Sequence, residues 1–272
     1  MRAYSALVVV AGLCAAPAAA ADLPTRKPAP EEIVAPALSS NWRFEITGYG
    51  WATSLAGNGG FGPLPPELFF ANFAKIIRHF EGGLMGAATA SNGTFIGGVD
   101  LIWSRLGAGV NFKDPDSALF GSHANITLNE FIGTGFGGLR IPIGPPNLEL
   151  YGTVGARYFY IRGENTLTTP VFGFQQKSSV TKDWADPVAG LAAHYVINDK
   201  WFINFLTDLG GLDNSATGQV LGSVGYNWTA SIATTLGYRV LYAYERDISG
   251  PLRDFRYQSW MYGPFAGFKY SF

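Results

Sequence analysis

The chain ends in Tyr262-Gly-Pro-Phe-Ala-Gly-Phe-Lys-Tyr-Ser-Phe272, and apolar residues step back from its last position by twos. Side chains alternate between the two faces of a β-strand. One face would carry Trp260, Tyr262, Ala266, Phe268, Tyr270 and Phe272, and the other Ser259, Gly267, Lys269 and Ser271. Chain termini usually fray unless they are held in place. The segment therefore predicts the closing strand of a transmembrane β-barrel, with Tyr270 and Phe272 as its membrane insertion signal. The alternative is the last strand of a secreted soluble β-sandwich.

The N-terminus has the three parts of a secretory signal peptide. A basic start precedes an apolar run from Leu7 to Ala16 and a small-residue cleavage zone from Ala18 to Ala21. This pattern predicts removal of residues 1–21. The single cysteine, Cys14, lies in that part, so we expect no disulfide and no thiol chemistry in the mature chain.

The next segment, residues 22–41, contains four prolines and has no periodicity. This composition predicts an extended periplasmic tether. From Trp42 onward the chain alternates nearly to its end, so residues 42–272 are expected to form the barrel.

Composition excludes several classes of protein. The formal net charge of −1 gives no electrostatic basis for binding nucleic acid. No apolar stretch after the signal reaches the roughly 18 residues that a membrane helix needs. Any crossing of a membrane must therefore use strands.

Alternation and turn signals predict an all-β, antiparallel up-and-down barrel of about ten strands. The predicted strands are Trp42–Thr53, Gly82–Ala90, Thr94–Phe112, Ala124–Gly138, Asn147–Arg162, Thr181–Val196, Trp201–Leu209, Gly218–Asn227, Trp228–Tyr244 and Tyr257–Phe272. Short and long connections alternate, as in outer-membrane barrels, and both chain ends fall on the periplasmic side. Eight or twelve strands remain open if Gly82–Ala90 or Gly218–Asn227 is misassigned.

Two strands indicate which face is polar. In Leu148–Tyr160 and in Trp228–Tyr244, the arginines Arg157 and Arg239 lie opposite the apolar set. An arginine facing lipid at mid-depth costs about 2–4 kcal/mol, so both are expected to face the lumen.

By the same parity, nine residues with ionisable side chains are expected in the lumen. They are Arg43, Glu45, Asp100, Glu149, Arg157, His194, Asp208, Arg239 and Lys269. Both signs are represented, which favours a mutually neutralising network that fills a narrow interior. The alternative is a lining that selects small solutes, although a barrel of ten strands lies near the packed end of the size range.

The tryptophans predict two aromatic girdles. Trp42, Trp201 and Trp228 would lie at the periplasmic end, and Trp51, Trp103, Trp184 and Trp260 at the opposite end. Strict alternation from Trp42 turns Trp51 inward. Either a bulge at Gly48 and Gly50 resets the parity, or Trp51 belongs to the lumen or its rim.

The segment Leu55–Glu81 is expected to be a loop that holds one short amphipathic helix. Phe69, Phe73, Ile76, Ile77 and Phe80 recur at helical spacing. The helix would fold into the barrel mouth or lie on its outer rim; loop residues packed on neighbouring loops are the alternative.

One cluster has the residue types of a hydrolase site. His123 would be the base, Ser122 the nucleophile, and Asn125 or Glu130 would orient the imidazole ring. Such a site would belong to a lipid-modifying barrel enzyme. Neighbouring strand residues point to opposite faces, so Ser122 and His123 meet only in a loop, and a non-catalytic surface loop is the expectation.

Metal and cofactor sites are not expected. His79, His123 and His194 are far apart in sequence, and Asp114 and Asp116 lack the spacing of a calcium loop. The glycine-rich run 133–138 lies in an alternating strand, where glycine permits curvature and close approach rather than binding a nucleotide.

Several segments resemble a known group of proteins. Ala21-Asp-Leu-Pro-Thr-Arg-Lys-Pro-Ala-Pro30 resembles the mature start of many small outer-membrane barrels of alphaproteobacteria. Trp42-Arg-Phe-Glu-Ile-Thr-Gly-Tyr-Gly-Trp51 resembles the first strand of one uncharacterised, porin-like group among them. Glu81–Ala87 and Gly97–Trp103 resemble its next two strands. The resemblance implies an outer-membrane barrel and carries no established activity or functional residues.

The expected protein is therefore a non-enzymatic, integral barrel of the outer membrane of a Gram-negative cell. Its expected role is structural, in envelope integrity, with narrow solute passage or ligand binding by the long loops as further options. Its expected partners are outer-membrane lipid, lipopolysaccharide and the barrel-assembly machinery.

Overall fold

The computed structural model describes residues 42–60, 67–111, 123–168, 175–247 and 255–272. The predicted signal peptide and tether, together with Asp114, Asp116 and Ser122, lie outside these ranges. Among the residues described, no helix has the length and apolar composition required to cross a membrane.

Strands dominate the described chain. In order, the elements are β1 (Arg43–Trp51), β2 (Ser54–Gly60), β3 (Glu67–Ala71), α1 (Phe73–Arg78), β4 (Phe80–Ser91), β5 (Phe95–Asn111), β6 (His123–Arg140), β7 (Leu148–Thr168), β8 (Gln175–Val196), β9 (Trp201–Gly210), β10 (Ser215–Asn227), β11 (Ile232–Asp247) and β12 (Phe255–Ser271).

Ten of these strands form one closed antiparallel barrel. Each of β4 to β11 pairs with the next strand in the chain, β1 pairs with β4, and β1 also pairs with β12. The closing ladder runs from Glu45 opposite Ser271 to Trp51 opposite Phe265. The predicted fold class and the ten predicted strands are confirmed, and a closed single sheet excludes the two-sheet sandwich.

The strands lengthen toward one end of the barrel. The turns at residues 92–94, 141–147, 197–200 and 228–231 are at the other end, which we call the short-turn end, and the opposite end is the long-loop end. The longest strands, β7 and β8, have 21 and 22 residues and extend toward the long-loop end. One predicted boundary is wrong: Trp228 to Ser231 form a turn, where the Trp228 amide donates to the Ile232 carbonyl oxygen, and β11 starts at Ile232.

A hairpin that was not predicted extends the sheet at the long-loop end. Strand β2 pairs with the first half of β12, from Arg256 opposite Gly60 to Tyr262 opposite Ser54, and β3 pairs with β2. The prediction of a loop is wrong for these residues. Three of the seven residues in Ser54–Gly60 are glycine, so there is no apolar alternation to detect.

The predicted helix is confirmed, but it is shorter than its pattern. Helix α1 begins at Phe73, because the Asn72 side chain caps it by accepting a hydrogen bond from the Lys75 amide at 2.9 Å. Phe69 belongs to β3 and Phe80 to β4.

The wall has a seam beside this helix. Within the described residues, the ladder between β1 and β4 runs from Arg43 opposite Ser91 to Gly48 opposite Gly86. Beyond it toward the long-loop end, Tyr49 to Trp51 pair with β12 and Leu84 and Met85 pair with β5. The two strands therefore separate in the long-loop half of the barrel.

The alternation of faces is confirmed. Leu236 and Val154 are exposed on the outside, whereas Arg157 and Arg239 have 0% and 1% of their surface exposed. Trp184 is buried inside, so its predicted place in the outer girdle is wrong. Trp51 is also buried inside, which confirms the alternative that it belongs to the lumen rather than to the girdle. For Trp51 strict alternation holds through Gly48 and Gly50, and no bulge intervenes.

Candidate functional site

The middle of the barrel interior contains a chain of charged and polar side chains. The Arg239 guanidinium lies 2.7 Å from the Asp100 carboxylate. The Tyr49 hydroxyl donates to Asp100 at 2.5 Å and accepts a hydrogen bond from Arg239 at 3.0 Å. Arg239 also lies over the Trp51 ring, 5.1 Å from its centroid, which adds a cation–π contact.

Gln219 joins this group to a second ion pair. Its amide oxygen accepts from Arg239 at 2.7 Å, and its amide nitrogen donates to Asp208 at 2.7 Å. Arg157 donates to the same Asp208 oxygen at 2.8 Å. Further bonds from Arg157 reach Thr134 at 3.0 Å and Thr217 at 2.9 Å.

We call this set the central network: Tyr49, Asp100, Thr134, Arg157, Asp208, Thr217, Gln219 and Arg239. It contains two cations and two carboxylates, so its formal charges cancel. In a low-dielectric interior, such charges are stable only when they are paired and hydrogen-bonded.

A second charged group lies at the short-turn end. Lys269 contacts Glu45 at 3.0 Å, and Arg43 contacts Glu149 at 3.0 Å. His194 shares a hydrogen bond of 2.7 Å with Asn204. These side chains line a cavity of about 210 Å³ that also borders the central network.

The nine predicted lumen residues thus fall into two groups. Asp100, Arg157, Asp208 and Arg239 meet at mid-depth, and Arg43, Glu45, Glu149, His194 and Lys269 lie at the short-turn end. Sequence reasoning missed Tyr49 and Gln219, which hold the central network together. Tyr49 shares the parity of Arg43 and Glu45 on β1, so the same rule applied to neutral polar residues would have found it. Strand β10 contains no charged residue, so parity with a charged neighbour could not have found Gln219.

The interior of the long-loop half is apolar, contrary to the expectation of a polar lumen throughout. Its core contains Ile102, Ile132, Phe159, Leu241 and Met261, and the Phe159 ring stacks on Trp184 with centroids 4.8 Å apart. A narrow barrel can fill its interior with side chains. Packing apolar groups there removes them from water, which stabilises the closed interior.

Charged side chains return at the long-loop end. Lys182 contacts Asp247 at 2.8 Å and Glu245 at 3.2 Å. The interior is therefore layered: charged, apolar, then charged again.

A second cavity, of about 350 Å³, opens at the seam between β1 and β4. We call it the lateral pocket. Its walls include Met85, Ile102 and Ile132 from the barrel interior and Ile76 and Ile77 from α1. The side chains that line the pocket are therefore mostly apolar.

The residues of the alternative hydrolase site do not assemble around Glu130. His123 contacts Asn125 at 2.8 Å. Glu130 is seven residues from His123 on the same strand, so the two side chains lie on opposite faces, and Glu130 instead accepts from the Tyr257 hydroxyl at 3.3 Å. Among the described residues, no three His, Cys, Asp or Glu side chains form a metal-binding group.

Comparison with known proteins identifies the architecture. No protein-family model matches the chain, and no curated sequence is significantly similar. The outer membrane protease OmpT from Escherichia coli has a similar structure, with a TM-score of 0.54 and 11% identity, over 86% of this chain and 97% of OmpT. The chain has the fold of an outer-membrane β-barrel. The translocator domain of the autotransporter NalP from Neisseria meningitidis also matches, with a TM-score of 0.38 and 15% identity, over 86% of this chain and 90% of that domain.

The last residues of this β-barrel place aromatic side chains on its outer face. Tyr270 and Phe272 are exposed there, and the Phe272 ring stacks on Phe44 with centroids 5.7 Å apart. The Phe272 backbone also exchanges two hydrogen bonds of 3.0 Å with Phe44. The C-terminus is therefore fixed to the first strand, and whether it directs insertion stays a prediction.

Proposed function

We propose that the protein is an integral barrel of the bacterial outer membrane with a closed interior and a structural role in envelope integrity. The observation that carries the proposal is the central network, in which Arg157 and Arg239 are almost fully buried across the middle of the barrel. The short-turn end would face the periplasm and the long-loop end the exterior. The resemblance of its first strand to a porin-like group supports the same location.

Energetics support a permanently closed interior. Opening a path past Arg157 or Arg239 would break buried charge pairs, and losing one partner of such a pair costs about 3–5 kcal/mol. The apolar layer around Phe159 and Leu241, both with 0% of their surface exposed, would still block the path. The charged lining is therefore proposed to be a structural network rather than a solute filter.

Planar bilayer recording tests the closed interior. The purified protein inserted into a bilayer should give no discrete conductance steps, while a wide porin of sixteen strands in the same bilayer conducts freely. Stepwise currents from this protein would contradict the closed interior and would favour narrow solute passage.

Fractionation and gel migration test the membrane location. The protein should stay with the outer-membrane fraction until detergent is added, and it should migrate differently before and after boiling. Release in a periplasmic wash without detergent would contradict the proposal. Contacts with lipopolysaccharide and delivery by the barrel-assembly machinery belong to the same proposal, because an integral outer-membrane barrel is inserted into that environment.

We also propose that the protein is not an enzyme. His123 and Asn125 lie near the long-loop end, and Glu130 points into the barrel. His123→Ala should leave the lipid A and phospholipid profiles of the cell unchanged. A changed profile would favour the alternative of a lipid-modifying barrel.

A further inference from the structure

The lateral pocket lies at the seam, where no ladder joins β1 to β4 in the described residues. The β1–β4 ladder ends at Gly48 and Gly86. Leu84 lies two residues before Gly86 on β4, toward the long-loop end. It is exposed on the outer face and pairs with Trp103, which is exposed there as well. The seam therefore begins closer to the middle of the barrel than the aromatic girdle at the long-loop end. On the proposed membrane location, the outer wall faces hydrocarbon at that depth.

Beside the pocket, two adjacent residues of β4 point to opposite sides of the barrel wall. Leu84 has 74% of its surface exposed outside, whereas the next residue, Met85, lines the pocket. Ile102 and Ile132 form the floor, and Ile76 and Ile77 of α1 lie above. Glu130 also borders the pocket, but its carboxylate already accepts a hydrogen bond from Tyr257.

The size of the pocket suits a chain rather than a single small ring. An engineered apolar cavity of about 150 Å³ stays dry and binds benzene. The lateral pocket, at about 350 Å³, has more than twice that volume. Apolar walls give water few partners, so an apolar guest is favoured over solvent.

We propose that the lateral pocket binds an alkyl chain that enters through the seam between β1 and β4. The inference rests on the proposed membrane location, because hydrocarbon then lies directly outside the seam. An outer-leaflet lipid and a free long-chain amphiphile both supply such a chain. In both cases the recognised chemistry is the same unbranched hydrocarbon, and α1 covers the pocket from the long-loop side.

Photo-crosslinking tests the proposal with the full-length mature protein in lipid vesicles. In one arm, the vesicle phospholipid carries a diazirine in its acyl chain. In the other arm, unlabelled vesicles receive a diazirine fatty acid. After irradiation, labelled residues are mapped by mass spectrometry. Interior labelling at Met85, Ile102 or Ile132 is the expected result, and the arm that gives it identifies the source of the chain.

A matched pair of variants on β4 locates the chain. Met85→Trp fills the pocket, and Leu84→Trp adds the same ring on the outer face. We expect interior labelling at Ile102 and Ile132 to fall by about tenfold in Met85→Trp, the factor expected when roughly two methylene groups lose their burial. Leu84→Trp should leave it unchanged.

A second pair of variants on α1 tests the cover of the pocket. Ile76→Glu places a charge in the lining, whereas Ala74→Glu places it on an exposed part of the same helix. Interior labelling should be lost in Ile76→Glu and kept in Ala74→Glu, because an unpaired carboxylate is strongly disfavoured beside hydrocarbon.

Labelling on the outer face separates the two proposals. Leu101 and Val154 are exposed outside, so the diazirine phospholipid should label them in any correctly inserted barrel. Labelling of these two residues without interior labelling in either arm would overturn the pocket proposal and leave the membrane proposal intact. If the outer face is also unlabelled, the membrane location itself is wrong. Equal interior labelling in Met85→Trp and the unmutated protein would also overturn the pocket.

Discussion

Arg239 is the residue on which the central network converges. It contacts Asp100, Tyr49 and Gln219, and through Gln219 it is connected to the Arg157–Asp208 pair. Arg239 has 1% of its surface exposed, so its charge is stabilised by these partners rather than by bulk solvent. The stability of the barrel at mid-depth therefore depends on each member of the network.

Replacing Arg239 should destabilise the barrel far more than replacing an exposed arginine. Arg239→Ala leaves Asp100 without its cation, and we expect a loss of about 3 kcal/mol or more in the free energy of unfolding. Arg43→Ala is the control, because its side chain is 45% exposed and such pairs contribute about 0–1 kcal/mol. Urea titration of the protein in vesicles measures both. Equal losses would contradict a structural role for the central network.

The Tyr49 hydroxyl offers a smaller and more specific test. Tyr49→Phe removes its bond to Asp100, and hydrogen bonds to charged groups contribute about 1.5–3 kcal/mol. Tyr238, exposed on the outer face, is the matched control, where Phe should change the free energy of unfolding by less than about 0.5 kcal/mol. The same urea titration applies. A Tyr49→Phe variant as stable as Tyr238→Phe would show that the hydroxyl does not support the network.

Among the elements, β7 shows how closely the strands approach one another. A Cβ atom added at Gly155 would collide with the Gly135 carbonyl oxygen of β6, whereas one added at Gly163 would meet nothing within 4 Å. Glycine at position 155 therefore permits the backbone approach of β6 and β7, and glycine at position 163 has no such role.

An alanine at each of these two positions should have different effects. Gly155→Ala forces backbone to move, which costs about 1–3 kcal/mol, so the folded band should convert to the unfolded band at a lower temperature on a semi-native gel. Gly163→Ala on the same strand should convert at the temperature of the unmutated protein. If the two variants convert together, the close approach of β6 and β7 is not what requires glycine.

At the scale of the whole molecule, the barrel has a filled interior and a seam in its wall. Charged layers at the short-turn end and at mid-depth are followed by the apolar core, and in the described residues the long-loop half of the β1–β4 boundary lacks a ladder. On the proposed membrane location, this arrangement would favour exchange with the membrane over exchange across it.

The orientation of the barrel in the cell can be tested by cysteine labelling. If residues 1–21 are removed, the mature chain has no cysteine, so single substitutions report without background. Ser178→Cys, on the exposed long-loop part of β8, should react with an impermeant maleimide in intact cells. Asn198→Cys, in the turn between β8 and β9, should react only after lysis. The reverse pattern would contradict the proposed orientation.

Sequence alone determined the closing strand, the ten barrel strands and the face on which Arg157 and Arg239 lie. These features are local, because alternation along a single strand assigns each side chain to the outside or the inside. The same reasoning gave Trp51 its inward parity, whereas the positions of the tryptophans along the strands, used without parity, placed Trp184 in the girdle. A tryptophan is compatible with both an aromatic girdle and a packed interior, so only its parity distinguishes the two.

Tertiary structure alone decided which inward side chains meet. Arg157 and Asp208 are 51 positions apart, and Arg239 and Tyr49 are 190 apart, so their contact depends on how the strands are staggered around the barrel. The apolar filling of the long-loop half, the β2–β3 hairpin and the lateral pocket depend on the same closure. Alternation assigns a face to each residue, but the depth and the partner of an inward side chain are fixed only when all ten strands pair in register.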